Sequence, residues 1–174
     1  MNPWPDLREI LKGISWVIFG GVATRAYMPE RITKDLEILV KEPDGNEVIK
    51  RLTTGGYKLF PRLAVPGFLL QSPEGAEVDV LFGDMPWLDE ALQQPQHDPA
   101  GYPVLGLPYL VLMKLAAMRA QDWADVSRML GLASDEQLDR VREIVAQYSS
   151  EDRGDLESLI FIGKKERELP PSAE

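Results

Sequence analysis

A chain of 174 residues, 44% of them hydrophobic, is long enough for one domain, or one with a small appendage, and can bury a core without covalent staples. It has no cysteine, which excludes disulfides and thiolate metal sites and is compatible with a reducing cytoplasm. Its formal net charge of -9 repels nucleic acid unless a local basic patch overrides it, which favours small-molecule, protein or metal-nucleotide substrates. The opening Met1-Asn2-Pro3-Trp4-Pro5-Asp6 lacks the basic-then-apolar order of a signal peptide. No apolar stretch reaches the ~18 residues of a membrane span, so a cytoplasmic chain with no membrane partner is expected.

Asp6 to Lys12 reads as a short opening helix capped by Asp6 and stopped at Gly13. Trp16 to Phe19 is a compact run of aromatic and β-branched residues, hence a strand, and Gly20-Gly21 breaks it. Val22 to Tyr27 reads as a helix ended by Met28-Pro29. Leu36 to Val40 is a second strand whose last three residues are all apolar, which places it centrally in a sheet. Asp35 and Glu37 at its entry lie at i and i+2, so both carboxylates leave the same face.

Asp44 with Glu47 has the spacing of a capping box for a helix through Val48, Ile49 and Leu52 to Thr54, closed by Gly55-Gly56. Tyr57 to Leu59, Leu63 to Val65 and Phe68 to Leu70 are short strand candidates, and Pro73-Glu74-Gly75 a hairpin turn. Glu77-Val78-Asp79-Val80-Leu81 alternates acid and apolar residues, so it is a strand with carboxylates on one face. Pro86 to Gly106 reads as loop, with four prolines and the only histidine, His97, which has no second ligand near it and reads as surface.

From Pro108, which suits the first turn of a helix, the pattern is helical. Leu110, Val111, Leu115 and Met118 keep helical spacing, and Asp122 to Leu130 is a second helix, either separate or continuous with the first. Ser134 and Gln137 form another capping box for a helix to about Tyr148, and Asp155 to Phe161 is a last short helix. The charged tail from Gly163 to Glu174 reads as disordered. The expected architecture is therefore an α/β (α+β) core over residues 1–106, a helical C-terminal part over 107–162 and a tail over 163–174.

Asp35, Glu37 and Asp79 on neighbouring strands would give the carboxylates that a divalent metal needs against a phosphate chain. Gly20-Gly21 ahead of a helix would let backbone N–H groups approach a triphosphate. The order Gly20-Gly21, then Arg31-Ile32-Thr33-Lys34-Asp35-Leu36-Glu37-Ile38, then Val78-Asp79-Val80 resembles the signature of the DNA-polymerase-beta-like nucleotidyltransferase superfamily. Leu110 to Leu130, with Lys114, Arg119, Asp122 and Asp125, resembles the helical region of minimal nucleotidyltransferases related to the AbiEii abortive-infection toxins. Together these cover roughly residues 14 to 130.

The resemblance implies a small mixed-sheet nucleotidyltransferase core flanked by helices. It implies transfer of a nucleoside monophosphate from an NTP to an acceptor (RNA, protein or small molecule) with Mg2+ or Mn2+ and release of pyrophosphate. Asp35 and Glu37 would bind the metals, and Asp79 would bind the second metal and activate the acceptor. Gly20 and Gly21 would contact the triphosphate, Lys114 a phosphate, and Asp122 the nucleotide or acceptor. A toxin role would bring an antitoxin partner. The chain departs from the family at Glu37, one methylene longer than the usual aspartate.

Each of these readings has a plainer counterpart. Asp35 and Glu37 could be the solvated face of an edge strand, and Gly20-Gly21 only a turn. Asp122 could be an N-cap with Asp125 at N3. In a continuous helix Lys114, Asp122 and Asp125 fall within an arc of ~80°, so Lys114 could be their ion-pair partner. A degenerate fold that binds a nucleotide or a protein without catalysis is the alternative function.

Overall fold

The computed structural model describes residues 4–60 and 66–168. The fold is mixed α/β, as expected: a seven-stranded sheet with the order β3-β4-β5-β2-β1-β7-β6, and helices that dominate the second half of the chain. The strands are β1 (Trp16–Phe19), β2 (Asp35–Lys41), β3 (Lys58–Phe60), β4 (Gly67–Gln71), β5 (Glu77–Gly83), β6 (Gln96–His97) and β7 (Pro103–Val104). The helices are α1 (Gly20–Ala23), α2 (Gly45–Thr54), α3 (Leu88–Gln93), α4 (Leu107–Ala117), α5 (Ala120–Leu132), α6 (Asp135–Tyr148) and α7 (Arg153–Glu168). Contacts divide the chain into two compact units, one of residues 1–26 and 30–105, the other of residues 27–29 and 106–174.

In the first unit β2 is central, and its apolar run explains why. Leu36, Ile38, Leu39 and Val40 are all buried, and such a strand is stable only with a neighbour on each edge and cover on both faces. It pairs antiparallel with β1 and parallel with β5. β4 and β5 form the hairpin that Pro73-Glu74-Gly75 turns, and Gly75 takes φ +93° there. The strand candidate at Leu63 to Val65 lies outside the described residues.

Several expectations are corrected in this unit. Asp6 to Lys12 forms no helix: Asp6 and Leu7 are irregular and Arg8 to Lys12 is a run of turns. The Asp6 carboxylate, expected as a cap, instead takes the backbone N–H and guanidinium of Arg8. The helix expected from Val22 to Tyr27 begins earlier, at Gly20, and tightens to a 3-10 turn over Thr24–Ala26. The Asp44 capping box does not form. Asp44 lies in a 3-10 turn that runs into α2, and Glu47 pairs instead with Arg51 one turn on, Oε1 to Nε 2.9 Å. The stretch from Pro86 to Gly106 is not loop throughout, for it carries α3, β6 and β7, with Leu88, Ala91 and Leu92 buried. His97 is exposed on the edge strand β6, as expected.

The second unit is helical. α4 starts with Pro108 in its first turn and is apolar nearly all round. It does not continue into α5: Met118 takes φ 54°, a left-handed conformation that ends one helix before Arg119 starts the next. α6 has the expected capping box, with Ser134 Oγ accepting from the Gln137 N–H at 3.2 Å and Gln137 Oε1 accepting from the Ser134 N–H at 2.9 Å. The tail expected from Gly163 is corrected up to Glu168, where α7 ends. Gly131 of α5 and Gly163 of α7 let the two backbones meet; a Cβ on Gly163 would collide with the Ser127 carbonyl. Lys164 and Arg167 then bond the Ala133 and Gly131 carbonyls at 2.9 and 3.1 Å, which holds the end of α7 in place despite its charge.

Candidate functional site

The register of three strands builds the site. β1 runs antiparallel to β2, and its last residue, Phe19, stands opposite Glu37. Gly20 and Gly21 follow at once, so the glycine turn emerges beside the Glu37 side chain. On the other edge β5 runs parallel to β2 with Glu37 opposite Asp79 and Asp35 opposite Glu77. Paired residues share a face, so all four acids project on one side of the sheet. Asp35, Glu37 and Asp79 are half-buried and Glu77 is exposed. The edge-strand reading of Asp35 and Glu37 is thereby excluded, since β2 has a partner on each side.

Glu37 makes a bond that its sequence position does not announce. Its Oε2 accepts the Gly21 backbone N–H at 3.2 Å. The carboxylate lies so close that a Cβ on Gly20 would collide with it, and Gly20 takes φ +64°, so both space and backbone require glycine. The first backbone donor of the turn is therefore occupied by the chain's own anion. The segment from Arg31 to Thr33 also lies against this turn: a Cβ on Gly21 would stand 3.1 Å from Arg31 Nη2 and would collide with the Thr33 methyl. Arg31 thus brings a guanidinium to the glycine turn, a placement that follows from the loop's path rather than from any periodicity.

Among the described residues no three acidic or histidine side chains converge as a metal-binding group. The described residues offer no closed, protein-only cage. Mg2+ commonly takes one or two carboxylates and completes its shell with substrate phosphates and water. Half-buried carboxylates on adjacent strands, next to a glycine turn, suit a hard cation shared with a polyphosphate. Asp35, Glu37 and Asp79 would hold it, once Glu37 turns away from Gly21.

The remaining expected residues, Lys114 and Asp122, belong to the second unit and form a buried network there. Lys114 Nζ lies 3.0 Å from Asp122 Oδ1 and 2.8 Å from Asp125 Oδ2, and the lysine is only 3% exposed. Gln121 Nε2 donates to the other Asp125 oxygen at 2.9 Å, and Arg119 Nε reaches Asp122 Oδ2 at 2.5 Å from a side chain 72% exposed. Burial pushes the Asp122 pKa up, but the hydrogen bonds from Arg119 and Lys114 together outweigh it and hold the carboxyl below its usual range. The ion pairing expected of a continuous helix is present, but it is reached across the break at Met118, from α4 to α5, and not along one helix face. A phosphate reaching Lys114 would have to compete with two carboxylates already in place.

No protein-family model matches the chain, and no curated protein matches it. Solved structures do match. A lincosamide antibiotic adenylyltransferase, LnuA, solved with lincomycin bound, has TM-score 0.54 at 15% identity, over 74% of this chain and 92% of its own. A Thermotoga maritima protein assigned as a nucleotidyltransferase has TM-score 0.50 at 16% identity, over 66% of this chain and 84% of its own. The chain therefore shares its fold with these two proteins. At these identities the likeness is one of fold.

Proposed function

We propose that the chain is a metal-dependent nucleotidyltransferase that moves a nucleoside monophosphate from an NTP to an acceptor. The observation that carries this reading is the placement of Glu37: on the central strand, in register with Asp79, two residues from Asp35 and in contact with the Gly20-Gly21 turn. Nucleotidyl transfer asks the protein for positioning and charge neutralisation more than for covalent chemistry. Asp35 and Glu37 would hold a divalent cation with the triphosphate. Asp79, opposite Glu37 on β5, would help hold a second cation and accept a hydrogen bond from the acceptor hydroxyl. The backbone donors of Gly20 and Gly21 take phosphate oxygens, and the divalent cation, when bound, neutralises charge that builds between the α-phosphate and the leaving pyrophosphate. Lys114 and Asp122 serve to fasten α4 to α5.

A small hydroxylated molecule is the acceptor class to try first. The net charge disfavours a long polyanion, and the adenylyltransferase of like fold is named for a lincosamide antibiotic and was solved with lincomycin bound. The relation to AbiEii-type toxins, and with it an antitoxin partner, rests on the residue pattern from Leu110 to Leu130 alone.

A second reading is favoured by one specific observation. The Glu37 carboxylate occupies the Gly21 N–H, and no ready metal cluster exists among the described residues. A chain in which that contact never opens would keep the fold and lose the transfer. The two readings part in a transfer assay with α-labelled NTP, Mg2+ or Mn2+ and a panel of small hydroxylated acceptors. Label retained on an acceptor, with pyrophosphate released, and abolished by Asp35→Ala, is the expected result. Purified protein that neither binds nor turns over any NTP overturns the proposal.

A further inference from the structure

The sheet carries a second cleft that shares no residue with the acids and glycines described above. It measures about 660 Å³, within the usual range for a small-molecule site. The segment leading into β1, the end of α2, the start of β3 and the β4–β5 turn enclose it, with Trp4, Asp6, Ile10, Tyr57 and Glu74 among its lining residues. A Cβ on Gly55 would collide with the Ile10 side chain there.

Tyr57 gives the cleft its chemistry. The residue is 7% exposed, yet no hydrogen bond reaches its hydroxyl among the described residues. Tyr57 is one of the residues that line the cleft. Buried tyrosine hydroxyls ordinarily find a partner. Around it the charge is negative. Among the described residues Glu74 carries no ion pair, and Asp6 is balanced by Arg8 at 2.7 Å. Burial first, then the charges of Glu74 and Asp6, push the Tyr57 hydroxyl up to about 12. Two aromatic side chains beside an uncompensated carboxylate suit a cation on an apolar body.

We infer that this cleft is a binding site for a small organic ammonium ion: the amine pairs with Glu74, its apolar body packs between Trp4 and Ile10, and a polar atom on it satisfies the Tyr57 hydroxyl. This inference stands apart from the proposed nucleotidyl transfer and survives its failure. The test uses the full chain with three matched probes, 2-phenylethylammonium, 2-phenylethanol and phenylacetate, followed by NMR of the Trp4 indole and of the backbone around Tyr57 and Glu74. Saturable shifts at those residues are expected, with the ammonium bound at least fivefold tighter than the alcohol and the carboxylate weakest. Glu74→Gln should erase the preference among the three, and Tyr57→Phe, which keeps the ring, should weaken the ammonium severalfold at an unchanged melting temperature. No saturable shift at Trp4 or Tyr57, equal binding of all three probes, or a charge preference that persists in Glu74→Gln overturns the inference.

Discussion

Shortening Glu37 to aspartate should make the apo protein less stable and its nucleotide affinity higher. The Glu37 Oε2 lies 3.2 Å from the Gly21 nitrogen, and removal of one methylene draws the carboxylate back by about 1.5 Å, to roughly 4.7 Å, beyond hydrogen-bond reach. A hydrogen bond to a charged group contributes about 1.5–3 kcal/mol when well shielded, and about 1 kcal/mol is reasonable for this half-buried site. A nucleotide that needs the same N–H must displace Glu37 and gives up that energy in the wild type. Without the competing contact, affinity should rise by about fivefold, since 1.4 kcal/mol is a factor of ten. The melting temperature of the free protein should fall by about 2–4 °C, the usual response of a chain of this size to 1 kcal/mol. Calorimetric titration with a non-hydrolysable NTP analogue and Mg2+, beside thermal unfolding of the free protein, reads both quantities. An unchanged melting temperature together with unchanged or weaker nucleotide binding would refute the idea that Glu37 guards the turn.

The other predictions concern the second unit. Lys114→Met should destabilise the protein by about 3–5 kcal/mol in urea unfolding, because it leaves the Asp122 and Asp125 carboxylates buried without their cation. Arg119→Ala removes a largely exposed partner of the same Asp122 and should cost no more than about 1 kcal/mol. Asp122 has its folded pKa depressed, so its contribution is fully present above the unfolded value near 3.8 and is lost as pH falls through the folded one. Asp122→Asn should therefore flatten the fall of stability below about pH 4, relative to wild type, in acid unfolding followed by circular dichroism. Gly163→Ala forces a Cβ into the Ser127 carbonyl and should cost about 1–3 kcal/mol, the range for overpacking; an unaffected melt would show that α7 does not press on α5 there.

What could be read in the sequence was what local periodicity encodes. The run from Leu36 to Val40 announced a central strand, the alternation from Glu77 to Leu81 announced its partner, and Ser134 with Gln137 announced a helix start. Each depends on residues a few positions apart. The failures share the opposite property. Asp6 and Asp44 were expected to cap helices, but a local competitor won: Arg8 takes the Asp6 carboxylate, and a 3-10 turn absorbs Asp44. β6 and β7 have two residues each, too few to carry a period, and exist because β7 pairs with β1. Whether α4 and α5 were separate or continuous stayed open in the sequence, because the break falls at Met118, with no glycine to signal it. At the candidate site the acids and glycines were legible as a pattern. The contact between Glu37 and Gly21, and the approach of Arg31 to the same turn, follow from how β1 lies on β2 and from the loop between them, which no spacing rule encodes.

The central claim is that the acids of β2 and β5 hold a nucleotide through a divalent cation. Thermal unfolding with Mg2+ and each NTP, wild type beside Asp35→Ala and Asp79→Ala, tests it most directly. Ligand at about 100 Kd stabilises the folded state by roughly 2.7 kcal/mol, which for a chain of this length raises the melting temperature by about 5–10 °C. That rise is expected for wild type with at least one NTP, only when the cation is present, and is expected to be lost in both variants. No rise with any nucleotide, or a rise that survives in Asp35→Ala and Asp79→Ala, would contradict it.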